Sequence, residues 1–84
     1  MNIALPDWYD ELLEFECESK GCVLNLNVVI NGEERVINFY DLTRFSQDVE
    51  SELNENGYFN DENAVILLKV TKNNIMGYLY SLVS

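Results

Sequence analysis

Eighty-four residues are enough for one small domain (1–84), close to the lower limit for folding without metals or disulfides. The chain is 48% apolar, which supplies a core and excludes a disordered acidic tail. Fifteen acidic residues against five basic ones give a formal charge of −10, a surface that repels nucleic acid and anionic membranes and attracts basic proteins.

Residues 1–6 lack the basic start and long apolar stretch of a signal peptide, and no apolar run approaches the ~20 residues of a membrane span. A cytoplasmic location with reduced thiols is the expectation. Residues 1–11 predict no clear element, although Trp8 and Tyr9 suit a short helical turn or an arm. Residues 13–18 alternate strictly between apolar and acidic, which predicts a half-buried strand. Cys22, Leu24, Leu26, Val28 and Ile30 alternate in the same way and lead into Asn31-Gly32, the residue pair favoured in a type I′ hairpin turn. Arg35 to Tyr40 forms the return strand.

Two-residue turns at Ser19-Lys20 and Asn31-Gly32 set the register of a three-stranded meander. They place Phe15 and Phe39 against Leu24, Leu13 and Ile37 against Leu26, and Cys17 against Cys22. Glu14, Asn25 and Asn38 would then share the opposite face. Asp41 or Thr43 caps a helix with the stripe Leu42, Phe45, Val49 and Leu53, closed by Gly57.

Ala64 to Val70 is an apolar run of strand length. Thr71 then caps a final helix that buries Ile75, Met76, Leu79, Leu82 and Val83. The expected fold is α+β, in the order β-β-β-α-β-α. With both helices on the Ile37/Phe39 face, a right-handed crossover puts the last strand beyond the first and parallel to it, giving order 3-2-1-4. The outer edge of that last strand needs a cover: residues 1–10, a second copy in a homodimer, or a partner strand.

Without histidine, imidazole-based triads and zinc sites cannot be built, and no glycine-rich phosphate loop is present. No catalytic residue, cofactor or metal is assigned, and the chain does not read as an enzyme. Cys17 and Cys22 read as small buried hydrophobes rather than as a disulfide. Asn60, Asp61, Glu62 and Asn63 form a solvated turn, because the spaced ligands of a calcium loop are missing.

Candidate binding residues come from carboxylates set beside aromatics, a combination suited to a basic, partly apolar partner. Asp48, Glu52, Glu55, Asp61 and Glu62 surround Tyr58 and Phe59, while Glu14, Glu16 and Tyr40 mark an open sheet face.

The run from Phe39 to Phe45, continuing through Asp48 to Leu53, is similar to segments of small bacterial domains. With its size and acidity, the chain resembles toxin-neutralising immunity proteins of bacterial competition systems. That resemblance implies an inhibitor that binds a basic toxin, often a nuclease domain; the charge, for its part, argues against direct contact with nucleic acid or membrane. Two other classes fit the residues. One is a general interaction or structural domain. The other is a nucleic-acid mimic of the anti-restriction or anti-CRISPR type, with Glu14, Glu16 and Glu18 spaced ~7 Å apart on a strand.

Overall fold

The structure, a computed structural model, describes residues 2–83; Met1, in the segment for which no element is predicted, and Ser84 lie outside them. Four strands and three helices follow one another as β1 (Ile3–Ala4), α1 (Glu11–Lys20), β2 (Cys22–Ile30), β3 (Glu33–Asp41), α2 (Leu42–Asn56), β4 (Ala64–Leu67) and α3 (Lys72–Val83). The α+β class is as expected. The sheet is mixed, in order β1-β2-β3-β4, rather than 3-2-1-4.

The first departure is α1, which replaces the strand expected over residues 13–18. Asp10 has extended backbone angles, and its carboxylate accepts from the Leu13 N–H at 2.9 Å. Gly21, in the left-handed region, donates its N–H to the Cys17 carbonyl at 2.8 Å. Between these caps stand Glu, Leu and Lys with no β-branched residue, so local preference is helical. The alternation that suggests a strand becomes two apolar helix faces: Leu13 and Cys17 turn inward, while Leu12 and Phe15 turn outward. Cys17 therefore does not oppose Cys22 across strands; Cys22 pairs with Tyr40, and both thiols are free and buried.

The β2–β3 hairpin forms at Asn31-Gly32, with φ of 51° and 84°, as a type I′ turn requires. Leu26 opposes Ile37 as expected, but a bulge between Val23 and Leu26 shifts the remaining pairing. Val23, not Leu24, then opposes Phe39, and Leu24 points to solvent. Asn25 sits at φ 55° in the bulge and donates its N–H to Asn38 Oδ1 at 2.6 Å. Asn38 Nδ2 donates in turn to Asp61 Oδ2 at 2.9 Å, tying the bulge to the loop before β4. Asn25 and Asn38 are neighbours as expected; Glu14 is not among them, because it lies on α1.

The core fills the Phe39 face of the sheet. Phe39, Leu26, Val28, Val70, Ile75 and Leu79 are fully buried, each contributing roughly 1.5–3 kcal/mol relative to exposure. α1 and α3 cover this face, and Tyr78 meets Phe39 edge-on at 5.9 Å. Thr71 Oγ1 accepts from the Asn74 N–H at the start of α3, as its position predicts. Leu82, assigned to the core by periodicity, is exposed.

α2 lies on the other face. Phe45 packs edge-on against Tyr40 at 5.4 Å, and Tyr40 alternates with Phe39 along β3. That placement explains the strand order. With the crossover helix on the Tyr40 face, right-handedness carries β4 away from β2 and beside β3, where the two pair in parallel from Asn38↔Ala64 to Asp41↔Leu67. The strand expected over 64–70 ends at Leu67. The N-terminal segment pairs at the far edge, Ile3 with Ile30, so residues 2–10 do not cover β4.

Candidate functional site

α2 is capped like an ordinary surface helix. Asp41 accepts from the Arg44 N–H at 2.8 Å, and the Gly57 N–H reaches the Leu53 carbonyl at 3.0 Å. Its apolar stripe is the expected one, yet none of its fifteen residues is buried. Leu42 is 65% exposed and Leu53 49%. With Phe45, Val49 and Ile66 they line an open groove of ≈ 430 Å³ between α2 and β4, bordered by Ser46, Glu50 and Asn54. Leu68, just past β4, is 91% exposed. Apolar side chains of this size gain by leaving water, and in this groove they remain exposed to it.

Glu50 borders the groove, and carboxylates dominate the charge of the rest of the helix. α2 carries Asp48, Glu50, Glu52 and Glu55 against one cation, Arg44. Arg44 Nε holds Asp48 at 3.1 Å, and that hydrogen bond raises the guanidinium pKa further. Glu52 accepts from Asn56 Nδ2 at 2.6 Å, which leaves it on the surface. Glu55 and Tyr58 are exposed where α2 ends, and Glu62 is exposed in the following loop.

Other expected binding residues make contacts within the fold. Tyr40 is buried, so it offers no open sheet face, and burial followed by the charges of Asp61 and Asp48 pushes its phenol pKa up. Phe59 is half-buried and meets Phe45 edge-on at 5.3 Å. Asp61 spends both oxygens on the Asn63 N–H and on Asn38. Asn60 to Asn63 is therefore a turn anchored to the sheet. Glu14 accepts from the Lys72 N–H at 3.3 Å, where α3 begins.

Glu16 is exposed on α1, across the sheet from α2 and not beside Tyr40. The ~7 Å ladder of Glu14, Glu16 and Glu18 is absent, because successive odd or even residues of a helix point in different directions.

A second apolar surface lies on α1. Phe15 is 70% exposed, with Leu12, Glu11 and Glu18 as its neighbours on the helix. The periodicity of α2 was visible in the sequence. That its stripe stays open, and that Ile66 joins it, depends on which face α2 takes.

Among the described residues, no helix is long and apolar enough to cross a membrane. Comparison with protein-family models, curated proteins and solved structures finds no match.

Proposed function

We propose that the chain is a non-catalytic binding domain that docks a basic protein on its α2–β4 face. The finer role we propose is inhibition of that partner, as an immunity protein inhibits a basic nuclease toxin. The observation that carries the reading is the α2 stripe, left open over Leu42, Leu53 and Ile66 and bordered by Glu50, with Glu52 and Glu55 on the same helix. Apolar contact slows release, and exposed carboxylates speed the encounter with a cation-rich surface.

The resemblance to immunity proteins supplies the biological class, and the −10 charge supplies the sign of the partner. A mimic of nucleic acid draws less support once the three α1 glutamates no longer form a ladder.

The test is affinity capture from the source organism with the wild-type chain and with the double variant Leu42→Asp, Leu53→Asp. Both sites are exposed, so both proteins should fold. We expect a basic protein held by the wild type and lost by the variant. Equal retention by both would move the interface elsewhere, and retention of only acidic proteins would end the reading.

A further inference from the structure

We infer that the outer edge of β4 is a strand-addition site, which takes an extended segment of the basic partner as a fifth strand. The inference rests on the reading that the α2–β4 face is the docking surface, and it specifies the form of the docked segment.

β4 ends the sheet, and the short β1 that pairs with β2 lies at the opposite edge. A parallel edge strand points alternate N–H and C=O groups outward with no strand to receive them. Ala64 to Leu67 contains no charge and no proline, and Lys69 follows only after Leu68. Its shortness is the only common edge protection within the strand. The edge continues past β4, because β4 pairs only with Asn38 to Asp41 and no strand pairs with the outer side of Glu33 to Ile37.

Two hollows flank this edge on opposite faces. The groove over Ile66 lies on the α2 side. On the α3 side, a hollow of ≈ 450 Å³ is lined by Val65, Tyr78 and Leu82, with Val36 and Glu62 at its rim. Side chains of a strand alternate between faces, so one extended segment beside β4 reaches both hollows. A helix laid on α2 reaches one.

Glu50 borders the first hollow, and Glu62 shares the second with Arg35. The chain around both carries a charge of −10, so the segment that fits has an apolar centre and basic ends. A second copy of this chain is disfavoured, because pairing through β4 sets one charge of −10 against another.

The probe is an acetylated, amidated peptide of two lysines, Val-Ile-Val-Ile, and two lysines, compared with the same peptide N-methylated at alternate central residues. A basic amphipathic helical peptide is the third ligand. The expected result is saturable binding of the plain peptide, with amide exchange at Ile66, whose N–H faces away from β3, slowed at least about tenfold, and loss of both on N-methylation. Ile66→Lys should also abolish binding.

If the helical peptide binds through Leu53 while β4 exchange stays unchanged, strand addition is overturned and the docking reading survives. Failure of the plain peptide to bind overturns strand addition as well, while affinity capture tests docking separately. A dimer with β4 protected and no peptide present would assign the edge to a second copy and overturn the partner strand.

Discussion

Tyr9 is the residue whose chemistry fits its surroundings least. Its side chain is buried beside Cys17, and its hydroxyl has no hydrogen-bond partner among the described residues. Burial, and then the charges of Glu14, Cys17 and Glu18, hold the phenol well above its ordinary pKa of 10.0. Cys17 is held above 9.0 first by burial and then by Cys22. In each case the folded form keeps a proton that the unfolded chain releases. Their contribution to stability is therefore complete below the unfolded pKa and is lost as pH rises through the folded one. Unfolding should become easier from about pH 9 upward. An unsatisfied buried hydroxyl costs about 1–3 kcal/mol, so Tyr9→Phe should stabilise the fold by about 1 kcal/mol at pH 7. It should also lose less stability than the wild type between pH 9 and 11. Denaturant melts at both pH values check this; a destabilised Tyr9→Phe at pH 7 would mean that the hydroxyl has a partner after all.

At the level of elements, caps and composition decided what alternation could not. Asp10 and Gly21 bracket α1, and its ten residues include no Val, Ile or Thr, whereas β2 is rich in Val. Those signals were legible and outweigh a period-2 pattern whose polar half is glutamate. The Asn31-Gly32 hairpin and the caps of α2 and α3 could be read directly, because each depends on a few adjacent residues. The bulge at Asn25 could not, since its N–H donates to the side chain of Asn38, thirteen residues away. Gly21 makes the dependence on caps testable. At φ 78°, a Cβ there would lie 2.5 Å from an Asp41 oxygen, and Asp41 is the N-cap of α2. Gly32 has a similar φ but nothing within 4 Å. Gly21→Ala should cost roughly 2–4 kcal/mol, from left-handed strain plus a disturbed cap, and Gly32→Ala only about 1. Thermal melts of the two variants check the ranking, and equal losses would show that the Asp41 contact relaxes without cost. α2 has no buried residue, whereas α3 buries Ile75 and Leu79. Amide exchange in α2 should accordingly be faster than in α3, by about tenfold or more.

Across the whole molecule, the strand order turned on one fact absent from local pattern: α2 packs on the Tyr40 face. The stripe Leu42, Phe45, Val49 and Leu53 says only that α2 has an apolar side, and both faces of β3 offer aromatic partners. With α2 on the outer face, the core is left to α1 and α3 and the stripe stays half-covered. The Cα radius of gyration, 13.4 Å, exceeds the ~12 Å typical of a compact chain of this length. The charge, by contrast, was fully legible, and it produces two effects of opposite sign. Fifteen acidic residues meet five basic ones, and among the described residues Arg44–Asp48 is the one ion pair. Self-repulsion on a body this small acts over distances comparable to the ~10 Å Debye length at 0.1 M salt, so added salt should relieve it. The melting temperature should therefore rise between 10 and 500 mM sodium chloride, by roughly 4–8 °C if about 1 kcal/mol is recovered. Association with a basic partner should weaken over the same range, mainly through a slower on-rate. The triple variant Glu52→Gln, Glu55→Gln, Glu62→Gln should flatten both dependences, because all three carboxylates are exposed, two on α2 and Glu62 at the hollow beside β4. Calorimetry and stopped-flow binding across the salt series check the pair of slopes. A melting temperature that falls with salt would show that favourable ion pairs outweigh the repulsion. An on-rate indifferent to salt would remove the acidic rim from the encounter.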